Sequence, residues 1–267
     1  MKNPLIQLGI IAAVLIISWQ ALRQVDWLTL FRVEQATQNT EEKLGDLLWE
    51  YNSTLEIELK SDSALAPLKK IVFLICEHNN IDSSEIKLHL LQNSEVNAFA
   101  MPDDHLVIYT GLIANCQNAE ELSGVIGHEL GHLVENHVMK KLIKEIGLSI
   151  LISMTTGNGG GEIIQETFGA LTSKAYDRDL EREADTLSVG YLLNANINPA
   201  PFGEFLFRLA QGHENDLDAL YWLSTHPHSE ERAANVFKFI ENEEHPKDTL
   251  MSPSDWKQYQ NYIAHEQ

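Results

Sequence analysis

The five residues His128-Glu129-Leu130-Gly131-His132 sit inside a long, largely apolar segment, AEELSGVIGHELGHLVENHVMKKLIKEIGLSILISM, that runs from Ala119 to Met154. Its spacing reads as one long helix or two end to end, with Leu122, Val125, Ile126, Leu130 and Leu133 turned to a core. On a helix of 3.6 residues per turn, positions four apart lie about 40° apart, so the His128 and His132 imidazoles stand side by side. A face that buries those leucines buries both rings, and a buried polar pair needs a partner. A zinc ion at about 2.0–2.1 Å from each ring nitrogen is the natural one. Glu129, about 100° round from His128, falls beside such an ion, where a carboxylate can take a proton from an attacking water.

A catalytic zinc keeps three protein ligands and one open position. His137 is the first candidate for the third, but on an unbroken helix it lies about 180° from His128 and points away. It also misses the spacing of the HExxHxxGxxH metalloproteases. The better candidate is downstream, in Tyr176-Asp177-Arg178-Asp179-Leu180-Glu181-Arg182-Glu183-Ala184-Asp185. Glu181 and Asp185 share a helical face, so the first can ligate while the second accepts the free ring N–H of a ligand histidine. Glu183, about 200° from Glu181, is expected in solvent. Taken alone, such a run is an ordinary charged helix surface; the histidine pair is what gives it meaning.

The remaining pattern is that of a mainly α protein with a small β-sheet (α+β). Residues 33–50 read as a helix with Leu44, Leu47, Leu48 and Tyr51 on one side, and Pro67 reads as the opening of a second helix. The segments IKLHLLQN, VNAFAMP and HLVIYTG read as short strands, with Pro102-Asp103-Asp104 as a turn. TGNGGGE at 156–162 reads as a break, and helices are expected near Thr172 to Leu193, Phe202 to Gln211 and Glu230 to Glu241. Ile143 to Met154 is too short to span a membrane and carries Lys144 and Glu145, so a buried or groove-covering helix is expected.

Leu5 to Leu22 is interrupted only by the polar Gln7, Ser18 and Gln20, and just reaches the length of a spanning helix. Cutting after Ala21 or Ser18 would put Trp19 or Ile16 at the −3 position, which argues against a cleaved signal, and Trp19 and Trp27 suit an interfacial belt. The expected organisation is an anchor at 1–23, a juxtamembrane helical segment at 24–64 and a catalytic domain at 65–267. Lys2 on one side and Arg23 and Arg32 on the other nearly cancel, and the acidic domain tips the orientation to the outside, extracytoplasmic face. A cleaved signal with a soluble periplasmic domain, or a cytoplasm-facing domain, are the alternatives. The net charge of −20, from 39 acids against 19 bases, repels phosphate and argues against a nucleic-acid partner. Two cysteines, Cys76 and Cys116, exclude a disulfide scaffold and leave either free thiols or one bridge.

His128-Glu129-x-x-His132 followed by Glu181-x-x-x-Asp185 resembles the M48 zinc metallopeptidases, a branch of the gluzincins. Asn97 to Pro102 is similar to that family's NAFAxP strand, and His105 to Leu112 to the strand and turn that follow it. Ser224-Thr225-His226-Pro227 with Arg232 resembles its HPxxxxR element. The likeness covers about residues 65–240 and departs at Asp177, where the family usually has serine before Arg178. It implies a gluzincin-type domain with one Zn2+ held by His128, His132 and Glu181, and Glu129 as general base. Asp185, Arg178 and Arg232 would support the ligands, and Asn97 and Ala98 would hold substrate backbone as an added strand. His226, with His228 as a fallback, would either stabilise the oxyanion or occupy the open coordination position and keep the enzyme latent.

The function these readings imply is a zinc endopeptidase acting on proteins or peptides, membrane-associated or misfolded envelope proteins among them. The rival from another class is a non-catalytic, zinc-stapled chaperone or assembly factor at the membrane. The retained Glu129 argues against it, because a purely structural zinc is normally closed by a fourth protein ligand and needs no base.

Overall fold

The computed structural model describes residues 33–211, 222, 224–241, 243, 246 and 249–266. The expected anchor lies outside the described residues, and among those described no helix is long and apolar enough to cross a membrane. Residues 42–267 form one compact unit, which holds the whole site. In chain order the helices and strands are α1 (Val33–Ser53), α2 (Asp62–His78), β1 (Lys87–Leu91), β2 (Ala98–Met101), β3 (His105–Tyr109), α3 (Thr110–Asn115) and α4 (Ala119–Val134). They continue with α5 (His137–Glu145), α6 (Leu148–Ser153), a π-turn at Met154–Asn158, α7 (Gly161–Ser173), α8 (Arg178–Asn194), α9 (Ala200–Gln211), α10 (Ser229–Ile240) and α11 (Pro253–His265).

The sheet has the order β1-β3-β2, with β1 parallel and β2 antiparallel to a wholly buried β3. The β2–β3 hairpin turns at Pro102-Asp103-Asp104 as expected, with Asp103 at φ 64° and Asp104 at φ 57°. Two successive residues in the left-handed region give the turn whose twist matches paired strands. β2 is an edge strand, yet all four of its residues are buried.

α4 is the central helix. Asn118 caps it by accepting the Glu121 N–H at 2.8 Å, and Glu120 and Glu121 sit in its first turn where the helix dipole favours acids. Its glycines let neighbours approach closely. A Cβ on Gly124 would stand 2.3 Å from the Phe202 Cβ, and one on Gly127 would stand 2.8 Å from the Ser188 Oγ. The same Ser188 hydroxyl donates to the Gly124 carbonyl at 2.7 Å, tying α8 to α4. This close packing brings the acidic start of α8 against the two histidines of α4.

Several expectations need correction. The segment after Ala119 is neither one helix nor two but three: α4 ends at Val134, Asn136 takes a left-handed conformation at φ 58°, α5 restarts at His137, and α6 follows at Leu148. Pro67 lies inside α2 rather than opening it, because Ser61 caps the helix a turn earlier and accepts the Ala64 N–H. The helix expected from Thr172 begins at Arg178, and the glycine-rich break is followed at once by α7. Within Ile143 to Met154, Leu151 and Met154 are buried, but Ile150 and Ile152 are exposed. α11 went unread in the sequence; Trp256, Tyr259 and Ile263 bury it, and the Tyr259 hydroxyl donates to the Ala64 carbonyl at 2.8 Å. Cys76 and Cys116 are both free and buried.

Gly124→Ala is expected to lower the unfolding free energy by about 1–3 kcal/mol, because Phe202 must give way in a close-packed core. Urea unfolding reads this as a lower midpoint at unchanged slope; a wild-type midpoint would contradict the close approach.

Candidate metal centre

Three helices and one loop converge on a buried cluster. α4 contributes His128, Glu129 and His132, α8 contributes Glu181 and Asp185, α10 contributes Arg232, and the segment before α10 contributes His226. All seven are buried. One donor atom from each of His128, His132, Glu181 and His226 lies within 4.8 Å of the others. The Nε2 atoms of His128 and His132 face each other at 3.0 Å. Glu181 Oε1 is 3.4 Å from His132 Nε2, and its Oε2 is 3.8 Å from His128 Nε2.

The polar contacts behind the rings bias which nitrogens carry protons. Asp185 Oδ1 is 2.9 Å from His128 Nδ1, a close contact without hydrogen-bond alignment; a lone pair facing the carboxylate would repel it, so the contact favours the proton on Nδ1 and leaves Nε2 its lone pair. Behind His132 the chain is longer: its Nδ1 lies 3.0 Å from Nδ1 of His137, whose Nε2 is 3.3 Å from Glu183 Oε2. Glu183 is near that nitrogen without a well-formed hydrogen bond, and its charge favours the proton on His137 Nε2; neutral His137 then accepts through Nδ1, and His132 donates from Nδ1. Two lone pairs are therefore turned toward each other at 3.0 Å in a buried site. That arrangement is repulsive between neutral rings and favourable once a cation sits between them. The donor set of imidazole nitrogens and a carboxylate oxygen suits zinc. Burial, then Arg232 and Lys141, brings the His132 imidazole down to about 3, and burial and Arg232 also lower His128, so both rings are neutral, as ligands must be.

Arg232 holds the acidic side of the site together. Its Nε donates to Asp185 Oδ2 at 2.8 Å and its Nη2 to Oδ1 at 2.7 Å, while its Nη1 pairs with Glu181 Oε2 at 2.7 Å. Nη2 also lies 3.3 and 3.4 Å from the two nitrogens of His128, equally far from both and so along neither lone pair. Burial pushes the Glu181 carboxyl up to about 7 against the pull of Arg232. Neither Glu181 oxygen has a well-formed hydrogen bond among the described residues, which leaves both available to a ligand.

Glu129 points across the cluster. Its Oε2 accepts the Ala100 N–H of β2 at 2.9 Å, and its Oε1 is 3.3 Å from His226 Nε2. Burial and the neighbouring Glu181 raise its pKa, making it a stronger base than a carboxylate in water. The His226 ring stacks on Trp222 at 4.1 Å, with its Nδ1 2.8 Å from the Thr225 hydroxyl. Tyr176 stacks on His132 at 4.0 Å, and the Lys141 ammonium lies 4.0 Å above the Tyr176 ring while donating to the Leu171 carbonyl.

Thus His128, Glu129, His132, Glu181, Asp185, His226 and Arg232 come together. Arg178 does not: it is about half exposed, 3.6 Å from Glu231 and 3.4 Å from His228. Asn97 and Ala98 are buried at the start of β2, with Asn97 Oδ1 lacking a hydrogen-bond partner among the described residues. His137 and Glu183, set aside in the sequence, stand directly behind His132, because the left-handed Asn136 swings the new helix back toward the site. An i, i+5 histidine pair spanning an asparagine was the only sequence signal for that turn. Tyr176, Trp222 and Lys141 were not read from the sequence at all.

Residues 67–239 match the family described as Peptidase family M48. The chain is 30% identical over 164 residues to Metalloprotease LoiP of Escherichia coli (strain K12), covering 59% of this chain and 64% of that protein. It is 25% identical over 199 residues to the mitochondrial Metalloendopeptidase OMA1 of Bos taurus, covering 68% and 38%. It is 24% identical over 175 residues to the Beta-barrel assembly-enhancing protease of Escherichia coli (strain K12), covering 61% and 36%. The matched region is thus under two thirds of the length of each of these relatives.

Removing the partner behind a ligand histidine typically weakens metal binding about 10–100-fold. His137→Phe is expected to do so in a chelator competition with the fold retained. An unchanged metal affinity would show that His137 does not set the His132 tautomer.

Proposed function

The chain belongs to peptidase family M48, and on that premise we propose that it is a zinc-dependent endopeptidase that hydrolyses peptide bonds in protein substrates. The observation that carries this reading is the pair of inward Nε2 lone pairs, with a carboxylate of raised pKa beside them and a further carboxylate facing both. His128, His132 and Glu181 are the residues that would hold the ion. Zinc supplies Lewis acidity, polarising a carbonyl oxygen and lowering the pKa of a water toward about 7.

The remaining steps belong to the chain's own groups. The Ala100 N–H fixes one oxygen of Glu129, so the other is presented toward the cluster. In this reading Oε1 accepts a proton from the attacking water and then delivers it to the leaving amine. Asp185 and Arg232 keep the His128 ring and Glu181 in place, while Arg178, at the surface, contacts Glu231 and His228 instead of the ligands. Asn97 and Ala98 would receive the substrate backbone along the β2 edge, by main-chain hydrogen bonding of an added strand.

His226 has two readings in this account. Its Nε2 beside Glu129 can stabilise the developing oxyanion. Its place among the four donors within 4.8 Å also lets it fill the open position and hold the enzyme latent. His226→Ala separates them, lowering turnover in the first case and raising it in the second.

The proposal extends to an N-terminal anchor at residues 5–22, with the domain on the extracytoplasmic side, and to membrane-associated or misfolded envelope proteins as substrates. The printed name of the barrel-assembly relative is in keeping with that setting. A reporter fused after residue 267 tests the orientation.

Casein cleavage by the full chain, with metal content measured in parallel, is the central test. Glu129→Gln should retain zinc and lose about 10²–10⁴-fold in rate, the usual worth of a general base. Glu181→Ala should lose zinc. Wild-type turnover by Glu129→Gln would reject the base; no cleavage by zinc-loaded wild type or by His226→Ala would favour the chaperone reading.

A further inference from the structure

A second group of donors, none shared with the first cluster, is assembled from α1, the β2–β3 turn and the start of β3. Asp46, Asp103 and His105 each offer a donor atom within 4.8 Å of the others. Asp46 is exposed, Asp103 is half-buried, and His105 is only 3% exposed. Its Nε2 has no hydrogen-bond partner among the described residues.

Its other nitrogen is held in a directional chain. Glu58 Oε1 is 2.7 Å from His89 Nδ1, and His89 Nε2 is 3.0 Å from His105 Nδ1. The carboxylate can only accept, so His89 donates from Nδ1 and accepts at Nε2, and His105 must donate from its own Nδ1. What remains is a buried, unprotonated Nε2 on His105 with no donor to satisfy it. The Trp49 ring stacks on His89 at 3.6 Å and fixes the pair in this orientation. A carboxylate–histidine–histidine chain ending in a free lone pair is how a ligand nitrogen is oriented and made more basic. Burial lowers the pKa of His105 and of His89; burial raises that of Glu58, but its contacts with His89 and Lys60 together bring it below the ordinary value.

We propose that Asp46, Asp103 and His105 form a second cation site for a divalent first-row transition metal such as zinc or manganese. One imidazole with two carboxylates suits such ions better than calcium or magnesium, which take oxygen ligands. Three ligands on a tetrahedral ion would stand about 3.4 Å apart, a closure that the exposed Asp46 makes by a rotamer change. Lys87 competes for Asp103 through an ion pair, but it is exposed and free to swing outward. Asp104 and Glu85 add negative charge nearby. The ion would clip α1 to the hairpin whose β2 strand carries Ala100, the residue that holds Glu129.

This inference stands apart from the peptidase reading, since none of its ligands belongs to the first cluster. The test is equilibrium dialysis of the full metal-free chain against Zn2+, with bound metal counted by mass spectrometry. Wild type should take up two equivalents. Asp46→Lys, which puts an ammonium on an exposed helix position without touching the core, should take up one, and Glu181→Ala should retain the one that Asp46→Lys loses. A single equivalent on wild type, or two on Asp46→Lys with unchanged affinity, would overturn the site. His105→Gln provides a second variant, expected to lose the same equivalent.

Discussion

Two imidazole lone pairs aimed at one point in a buried volume are the constraint around which the domain is arranged. Neutral rings do not choose that orientation for themselves. Asp185 imposes it on His128 directly, and Glu183 imposes it on His132 through His137. Each carboxylate sits on α8, so the geometry requires α8 to lie close along α4. The side-chain-free faces of Gly127 and Gly131 permit the approach of Ser188 and Ala184 on which that packing rests. Helix contact, ring tautomer and ligand chemistry are one interlocked arrangement.

Arg232 is the electrostatic counterpart. Asp185 and Glu181 would repel one another in a buried site, and the guanidinium from α10 bridges them with a bidentate grip on one and an ion pair to the other. Although burial disfavours its charge, the two carboxylates raise its pKa further. Removing one member of such a network leaves an uncompensated buried charge, typically worth about 3–5 kcal/mol. The network therefore couples folding of the C-terminal helices to assembly of the site. α10 is near in space to α8 for this reason, although forty-odd residues separate Asp185 from Arg232 in the chain.

The parts of this arrangement governed by local periodicity were legible before any coordinates. His128, Glu129 and His132 follow from the four-residue spacing on an apolar helix, and Glu181 with Asp185 follows from the same rule on a charged one. The strands and the Pro102-Asp103-Asp104 turn were equally plain. What periodicity could not carry was a change of helix direction. A straight-helix projection sends His137 away from the site; it is indeed outside the donor cluster, but the left-handed residue at Asn136 sets it behind His132, a place the projection does not give. Glu183 is exposed, as its angle from Glu181 predicts, but its contact with His137 depends on where α5 lies and could not be read from that angle. Stacking partners such as Trp222 and Tyr176 come from segments with no motif of their own. Their roles depend on tertiary placement that no local rule encodes.

The two histidine chains of this protein share one logic, in which an acceptor-only carboxylate fixes a proton, and the fixed proton leaves a lone pair at the far end. In the first cluster two such chains converge, and a cation is the species that reconciles them. Anomalous scattering at the zinc edge, from crystals of the full chain grown with zinc, tests this most directly. The account predicts a peak about 2.0–2.1 Å from both His128 Nε2 and His132 Nε2, with Glu181 as the third ligand. Crystals grown with saturating zinc that show no peak between those rings, with a proton found on one Nε2 and the two atoms hydrogen-bonded, would contradict it.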